Sequence, residues 1–166
     1  MLATSLVALV VVIGCAAGPP PATPRIVPGR SDAPREVNLI ARDYTFVPAT
    51  LDLVPGETIL LHVINAGLEI HEAIVGDVAV QAAWETAEAA TAGAPPGPTP
   101  LVKVPADVAG VRIVVRSGER VDLAWTVPAD AATAGHAGGW LVGCHIPGHW
   151  AKGMQIPIRW VGAGAP

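Results

Sequence analysis

Charge of either sign is scarce in this chain: 14% of its 166 residues are Asp, Glu, Lys or Arg, the net charge is -4, and no Lys/Arg-rich run occurs. That balance excludes the electrostatic footprint of a nucleic-acid binder. Aromatic residues are fewer still, 4%, so a core has to come from the Val, Leu, Ile and Ala that dominate a 51% apolar fraction. Sulfur is rare as well. Two Cys and two Met are present, one Met at position 1, and the five histidines (62, 71, 136, 145 and 149) contain no His-x-His pair. The length suggests one domain with an appendage.

What is present begins with an uncharged apolar block, residues 1–14, ending at Cys15. It has the length of a secretory h-region and is too short to span a bilayer. Val12-Ile13-Gly14-Cys15 resembles the lipobox of bacterial lipoproteins, in which the cysteine is lipidated and becomes the first residue of the mature chain. An ordinary cleaved signal and a short anchor helix are the alternatives, and no Lys or Arg precedes the block. All three place the domain outside the cytoplasm. Residues 15–34 are dense in proline and read as an extended tether. If Cys15 is acylated, Cys144 has no disulfide partner in an oxidising compartment, and metal ligation would account for an exported lone thiol. A Cys15–Cys144 disulfide or an inert buried thiol is the competing account.

From residue 35 to 166 short apolar runs alternate with turn residues, the pattern of an all-β domain. Strands are expected at Glu36–Arg42, Ala49–Val54 and Thr58–Asn65, the second and third joined by the turn Pro55-Gly56-Glu57. Another follows at Ala73–Val75. Asp77 to Ala90 breaks the pattern: Asp77 suits a helix N-cap, and Val80 and Trp84 lie four apart on one face. Val111–Arg116 and Arg120–Val127 alternate around Ser117-Gly118-Glu119 and are expected to form a hairpin. Strands at Gly139–Cys144 and Met154–Val161 complete about eight, the last with an edge or bulge at Pro157. The sum is a Greek-key β-sandwich with one short helix.

The loop between the last two strands, Cys144-His145-Ile146-Pro147-Gly148-His149-Trp150-Ala151-Lys152-Gly153-Met154, carries the chemistry. A thiol, two imidazoles and a thioether in one short loop form a soft-metal site. Two His and one Cys with a weak axial Met are the ligands of a blue-copper electron-transfer centre. The spacing Cys144-x4-His149-x4-Met154 resembles the ligand loop of cupredoxins, nearest to that of rusticyanin-, auracyanin- and sulfocyanin-like single-domain proteins. Asn65-x-Gly67-x-x-x-His71, after a strand that follows a Pro-Gly-Glu turn, resembles the segment that delivers the family's first copper ligand. The resemblance, which covers Glu36 to Val161 in outline, implies one copper ion held by His71, Cys144, His149 and Met154, with His149 presenting an exposed edge for electron exchange. Gln155 is an alternative axial ligand. The chain departs from the family at Glu72, where Asn or Ser is usual, which puts the surroundings of the thiolate in question.

Cys144-His145-x3-His149 also resembles the last motif of multicopper oxidases. Those enzymes, like copper nitrite reductases, need a His before the Cys, and here Gly143 stands there. His145 is therefore expected to support the loop, His62 to be a satisfied strand histidine, and His136 to be exposed. Copper storage or delivery is the alternative of another class, though such sites are Met/His-rich. Zinc is disfavoured by the Met. The reading is an exported, membrane-anchored, monomeric one-electron carrier between redox protein partners.

Overall fold

The computed structural model describes residues 25–93, 102–133 and 139–166. Cys15, the apolar block before it and His136 lie outside the described residues. Nine strands and one α-helix follow in the order β1 (Arg35–Arg42), β2 (Thr45–Val47), β3 (Leu51–Leu53), β4 (Thr58–Asn65), β5 (His71–Asp77), α1 (Val78–Ala89), β6 (Val111–Val115), β7 (Arg120–Thr126), β8 (Trp140–Gly143) and β9 (Gln155–Trp160). They make a four-stranded sheet, β2-β1-β4-β7, and a five-stranded sheet, β3-β9-β8-β5-β6. Both are mixed, because β1 runs parallel to β4 and β3 parallel to β9.

Alternation decides which side chains fill the space between the sheets. Leu39, Ile59, Leu61 and Val63 of the first sheet meet Leu53, Val75, Val115 and Val142 of the second, all fully buried. No aromatic ring occupies the centre except Phe46. Trp125, Trp140 and Trp160 instead pack against its margin, as the low aromatic content requires.

Two expectations about the strands need correction. The run 49–54 holds only the short β3, and an unforeseen β2 pairs with the end of β1 across the turn at Asp43 and Tyr44. More consequential, β6 and β7 are not a hairpin: β6 pairs with β5 and β7 with β4, in different sheets. The turn explains it. Gly118 has φ +74 while Ser117 does not have a positive φ, the sign pattern of a type II turn closed by Glu119 N–H on Arg116 O. Such a turn splays its flanking strands, whereas a tight hairpin needs a primed one. Pro157 pairs with Leu141 of β8 on one side, and pairing with β3 begins only at Ile158, so the proline sits at a local edge.

The helix starts where its cap predicts. The Asp77 carboxylate accepts the N–H groups of Ala79 and Val80, each at 3.0 Å, and Val80 and Trp84 bury against Ile74 of β5. Among the described residues no helix is long and apolar enough to cross a membrane.

Residues 26–35, the end of the proline-rich stretch and the start of β1, are joined to the domain. Ile26 exchanges backbone hydrogen bonds with Gly164 and Ala165. Glu57, 2% exposed, gathers Arg35 Nη2 at 2.5 Å, Arg35 Nε at 2.8 Å, Val54 N–H at 2.8 Å and Gly29 N–H at 3.4 Å. Burial pushes its carboxyl up, but the Arg35 guanidinium and the two N–H groups outweigh that and hold it below its ordinary 4.5. The unfolded chain therefore binds this proton first as pH falls, so the stabilisation exists above about 4.5 and is lost below it. Glu57→Gln is expected to lower stability at pH 7 by about 2 kcal/mol, with the gap to wild type narrowing as pH falls below 4.5, as read by urea unfolding across that range.

Candidate metal centre

Asn65, at the end of β4, shapes the loop that presents His71. Its Nδ2 donates to Glu69 O at 2.7 Å and to Val115 O at 3.0 Å, and its Oδ1 accepts Gly67 N–H at 2.8 Å. That short-range closure is an Asx turn, and the bond to Val115 ties it to the opposite sheet. From the β1–β2 turn, Asp43 Oδ1 accepts Leu68 N–H at 2.9 Å and Glu69 N–H at 3.3 Å. The chain between these anchors can only enter β5 at His71. Asn65 and Gly67 thus have mechanical roles in the N-x-G-x-x-x-H pattern.

Cys144 follows β8, Met154 precedes β9, and the two strands pair up to Gly143 and Gln155. Cys144 N–H donates to Met154 O at 3.0 Å and Met154 N–H to His149 O at 3.2 Å, which closes the loop on itself. His71, Cys144 and His149 come together at this end of the sandwich, all buried, with ligand atoms within 4.8 Å of one another. His149 Nδ1 lies 3.3 Å from Cys144 Sγ and 3.3 Å from His71 Nδ1. Met154 is fully buried at the same end, while Gln155 is exposed, since strand alternation turns it outward.

The outer nitrogens fix the tautomers. His71 Nε2 faces Asp43 Oδ1 at 3.3 Å and His149 Nε2 faces Glu69 Oε2 at 3.1 Å. An ionised carboxylate only accepts, so each Nε2 carries the hydrogen and each Nδ1 turns a lone pair inward. Two lone pairs and a sulfur then converge in a dry space, which a cation would satisfy. Burial pushes the Cys144 thiol up to about 12, against N–H groups of Glu72 and Ile146 that favour its thiolate. Only a bound cation displaces that proton at neutral pH. Two imidazoles and a thiolate beside a thioether suit a soft or borderline metal ion.

His149 does not present the exposed edge expected of it: it is 4% exposed. Tyr44 covers it edge-on with ring centroids 5.1 Å apart, and the Tyr44 hydroxyl donates to Glu69 Oε1 at 2.5 Å. Lys152 Nζ sits 3.5 Å over the Tyr44 ring. Tyr44 holds φ +66, a strained value for a bulky residue and a frequent mark of a functional position. The Tyr44 hydroxyl, then the His149 ring, hold Glu69 below the usual carboxylate range, and the Leu68 and Glu69 N–H groups do the same for Asp43. Asp43, Tyr44, Glu69 and Lys152 were not singled out from sequence. Isolated polar residues in turns carry no periodic signal.

Glu72 answers the question its identity raised. Its N–H points at Cys144 Sγ at 3.5 Å, and its fully buried carboxylate accepts His145 N–H at 3.1 Å and Arg112 Nε at 2.8 Å. Arg112 also reaches Glu88 of α1 at 2.9 Å and lies over the Trp84 ring. Burial raises the Glu72 carboxyl above its ordinary value and Arg112 opposes that. His145 is buried and bonded to two further α1 side chains, Glu85 at 2.7 Å and Gln81 at 2.8 Å, and stacks on Trp150. It supports the loop, as expected. At Gly143 a Cβ would lie 2.6 Å from both Gln81 Oε1 and the Trp150 ring, so the glycine makes room for that support.

No family model matches the sequence, and no curated protein matches it either. Solved structures do resemble it. A dithionite-reduced auracyanin from Roseiflexus castenholzii aligns with TM-score 0.58 at 18% identity over 81% of this chain and all of that one. Auracyanin A of Chloroflexus aurantiacus, a "blue" copper protein, aligns at 0.57 and 23% identity over 78% of this chain and all of that one. An azurin from Methylomonas sp. strain J gives 0.54 at 16% over 78% of this chain and all of that one. The fold is thus a cupredoxin-like β-sandwich.

Removing Arg112 alone would leave the buried Glu72 charge unmatched. Arg112→Met is expected to cost about 3 kcal/mol or more in urea unfolding. Arg112 also pairs with the buried Glu88, so adding both Glu72→Gln and Glu88→Gln, which removes the two orphaned charges, is expected to recover most of it.

Proposed function

We propose that this protein is a one-electron carrier whose single copper ion is held by His71, Cys144, His149 and Met154. The observation that carries the reading is the buried convergence of two imidazoles and a thiol with Met154 beside them, at one end of a cupredoxin-like sandwich. Bound there, copper supplies a one-electron couple between Cu(I) and Cu(II). The chain's part is to keep the donors still. Asn65 and Asp43 fix the entry of His71, Glu72 ties the cysteine loop to β5, and α1 braces His145. Donors held this way have little to rearrange when charge changes.

Two features favour a carrier over a copper enzyme or a delivery protein. All three clustered donors are buried, which leaves no open position for a substrate or for easy transfer of the ion. Among the described residues no second group of three or more His, Cys, Asp or Glu side chains is placed to hold another metal. The apolar block ending at Cys15 supports placing the domain on the outer face of a membrane, tethered by lipid or by an anchor, where it would act as a monomer between two redox proteins.

Copper reconstitution followed by visible and EPR spectra tests the reading. An intense thiolate-to-copper band is expected in wild type and is expected to vanish in Cys144→Ser; its absence from wild type would sink the proposal. Stopped-flow exchange with a small redox reagent is expected to outpace release of copper to a chelator by several orders of magnitude. Copper release faster than electron exchange would favour delivery instead, and steady oxygen consumption with a reductant would favour an oxidase.

A further inference from the structure

Both histidines of the centre have their outer nitrogens turned to carboxylates, and the two carboxylates come from separate loops. Asp43 stands in the β1–β2 turn and Glu69 in the β4–β5 loop. Each is itself held in place: Asp43 by two backbone N–H groups, Glu69 by the Tyr44 hydroxyl at 2.5 Å, with Tyr44 in turn under Lys152. Neither carboxylate is one of the clustered donors. Structural necessity does not require an acid at either place, since a water or a backbone carbonyl would equally accept from an imidazole N–H.

We propose that Glu69 and Asp43 act as positioning residues that set the preference of the centre for the more highly charged ion. The inference rests on the copper reading above and goes beyond it to the tuning of the site. A hydrogen bond from imidazole to an anion makes the ring a stronger donor, and a negative charge one ring away interacts more favourably with Cu(II) than with Cu(I). Both effects act in the same direction. Reduction adds one electron from the redox partner and breaks no bond in this shell, so the difference between the two oxidation states is felt as a lowered reduction potential. Glu69 carries the larger part, because its bond to the imidazole is the shorter, 3.1 Å against 3.3 Å, and because that bond uses Oε2 while the Tyr44 hydroxyl takes Oε1, whereas a single Asp43 oxygen serves the ring and two N–H groups.

The test is a redox titration of the copper-loaded protein with Glu69→Gln, Asp43→Asn and the double variant. These near-isosteric changes remove charge and keep an acceptor. Glu69→Gln is expected to lower the Cu(II)/Cu(I) affinity ratio about tenfold, an upward shift of about 59 mV for a one-electron couple. Asp43→Asn should move it the same way by less, and the double variant by more than either. Asp52→Asn serves as the charge control, since Asp52 pairs with Arg159 near the other end of β9, well removed from Met154. It is expected to leave the potential unchanged. An unchanged or lowered potential in Glu69→Gln, with wild type showing the thiolate-to-copper band, overturns this proposal alone. A shift in Asp52→Asn equal to that in Glu69→Gln also overturns it, because long-range charge would then suffice. Absence of the band from wild type overturns the copper reading itself. If Glu69→Gln fails to fold, Asp43→Asn decides by the same criterion.

Discussion

Everything at this end of the molecule answers to one constraint: two imidazole lone pairs and a thiol are held facing one another in a buried space. Left to itself such an arrangement is unfavourable, because buried polar groups that lack partners cost free energy. Charge is disfavoured there as well, for burial pushes the Cys144 thiol up to about 12. The fold has to impose the geometry from outside, and it does so through hydrogen bonds to the parts of the ligands that do not face inward. Asp43 and Glu69 take the outer nitrogens, Glu72 takes the backbone beside the sulfur, and Asn65 binds the two sheets where the ligands emerge.

The support is lopsided in a way that shows what the helix is for. From α1 alone, Gln81 and Glu85 reach His145, and Glu88 reaches Arg112, the partner of its anchor Glu72. Gln81 is itself pinned by three carbonyls, of Ile74, Gly76 and Leu141, so its oxygen can only face His145. The helix between β5 and β6 thereby braces the residue next to the thiol. The buried Glu72 charge is tolerable only within that network, since Arg112 neutralises it and Glu88 and the Trp84 ring in turn hold Arg112.

How much of this the sequence displays depends on the range of the interaction. β4 and the helix cap are legible because periodicity and an Asx residue act within a few positions. The four candidate ligands are legible because sulfur is so rare here that a Cys and a Met around a histidine loop stand out. The β6–β7 connection is misread because alternation marks strands but not the sheet each joins, and the backbone sign at Ser117 decides that. Asp43, Tyr44 and Glu69 are invisible for a further reason. They act on histidines far along the chain, 80 positions away for Glu69, and nothing local distinguishes them from other polar turn residues.

The closed edge of His149 bears most directly on what kind of copper protein this would be. Exchange of a ligand or substrate needs an opening, because an atom has to pass. Electron transfer does not, since it needs only short separation and good contact between partner and ligand. Here Tyr44 and Glu69 side chains lie against His149, and Lys152 lies over the Tyr44 ring. Side chains of that kind add little distance for an electron, and the anionic one touches the ligand itself. In the proposed carrier, the groups that cover the ligand are the same ones that tune it.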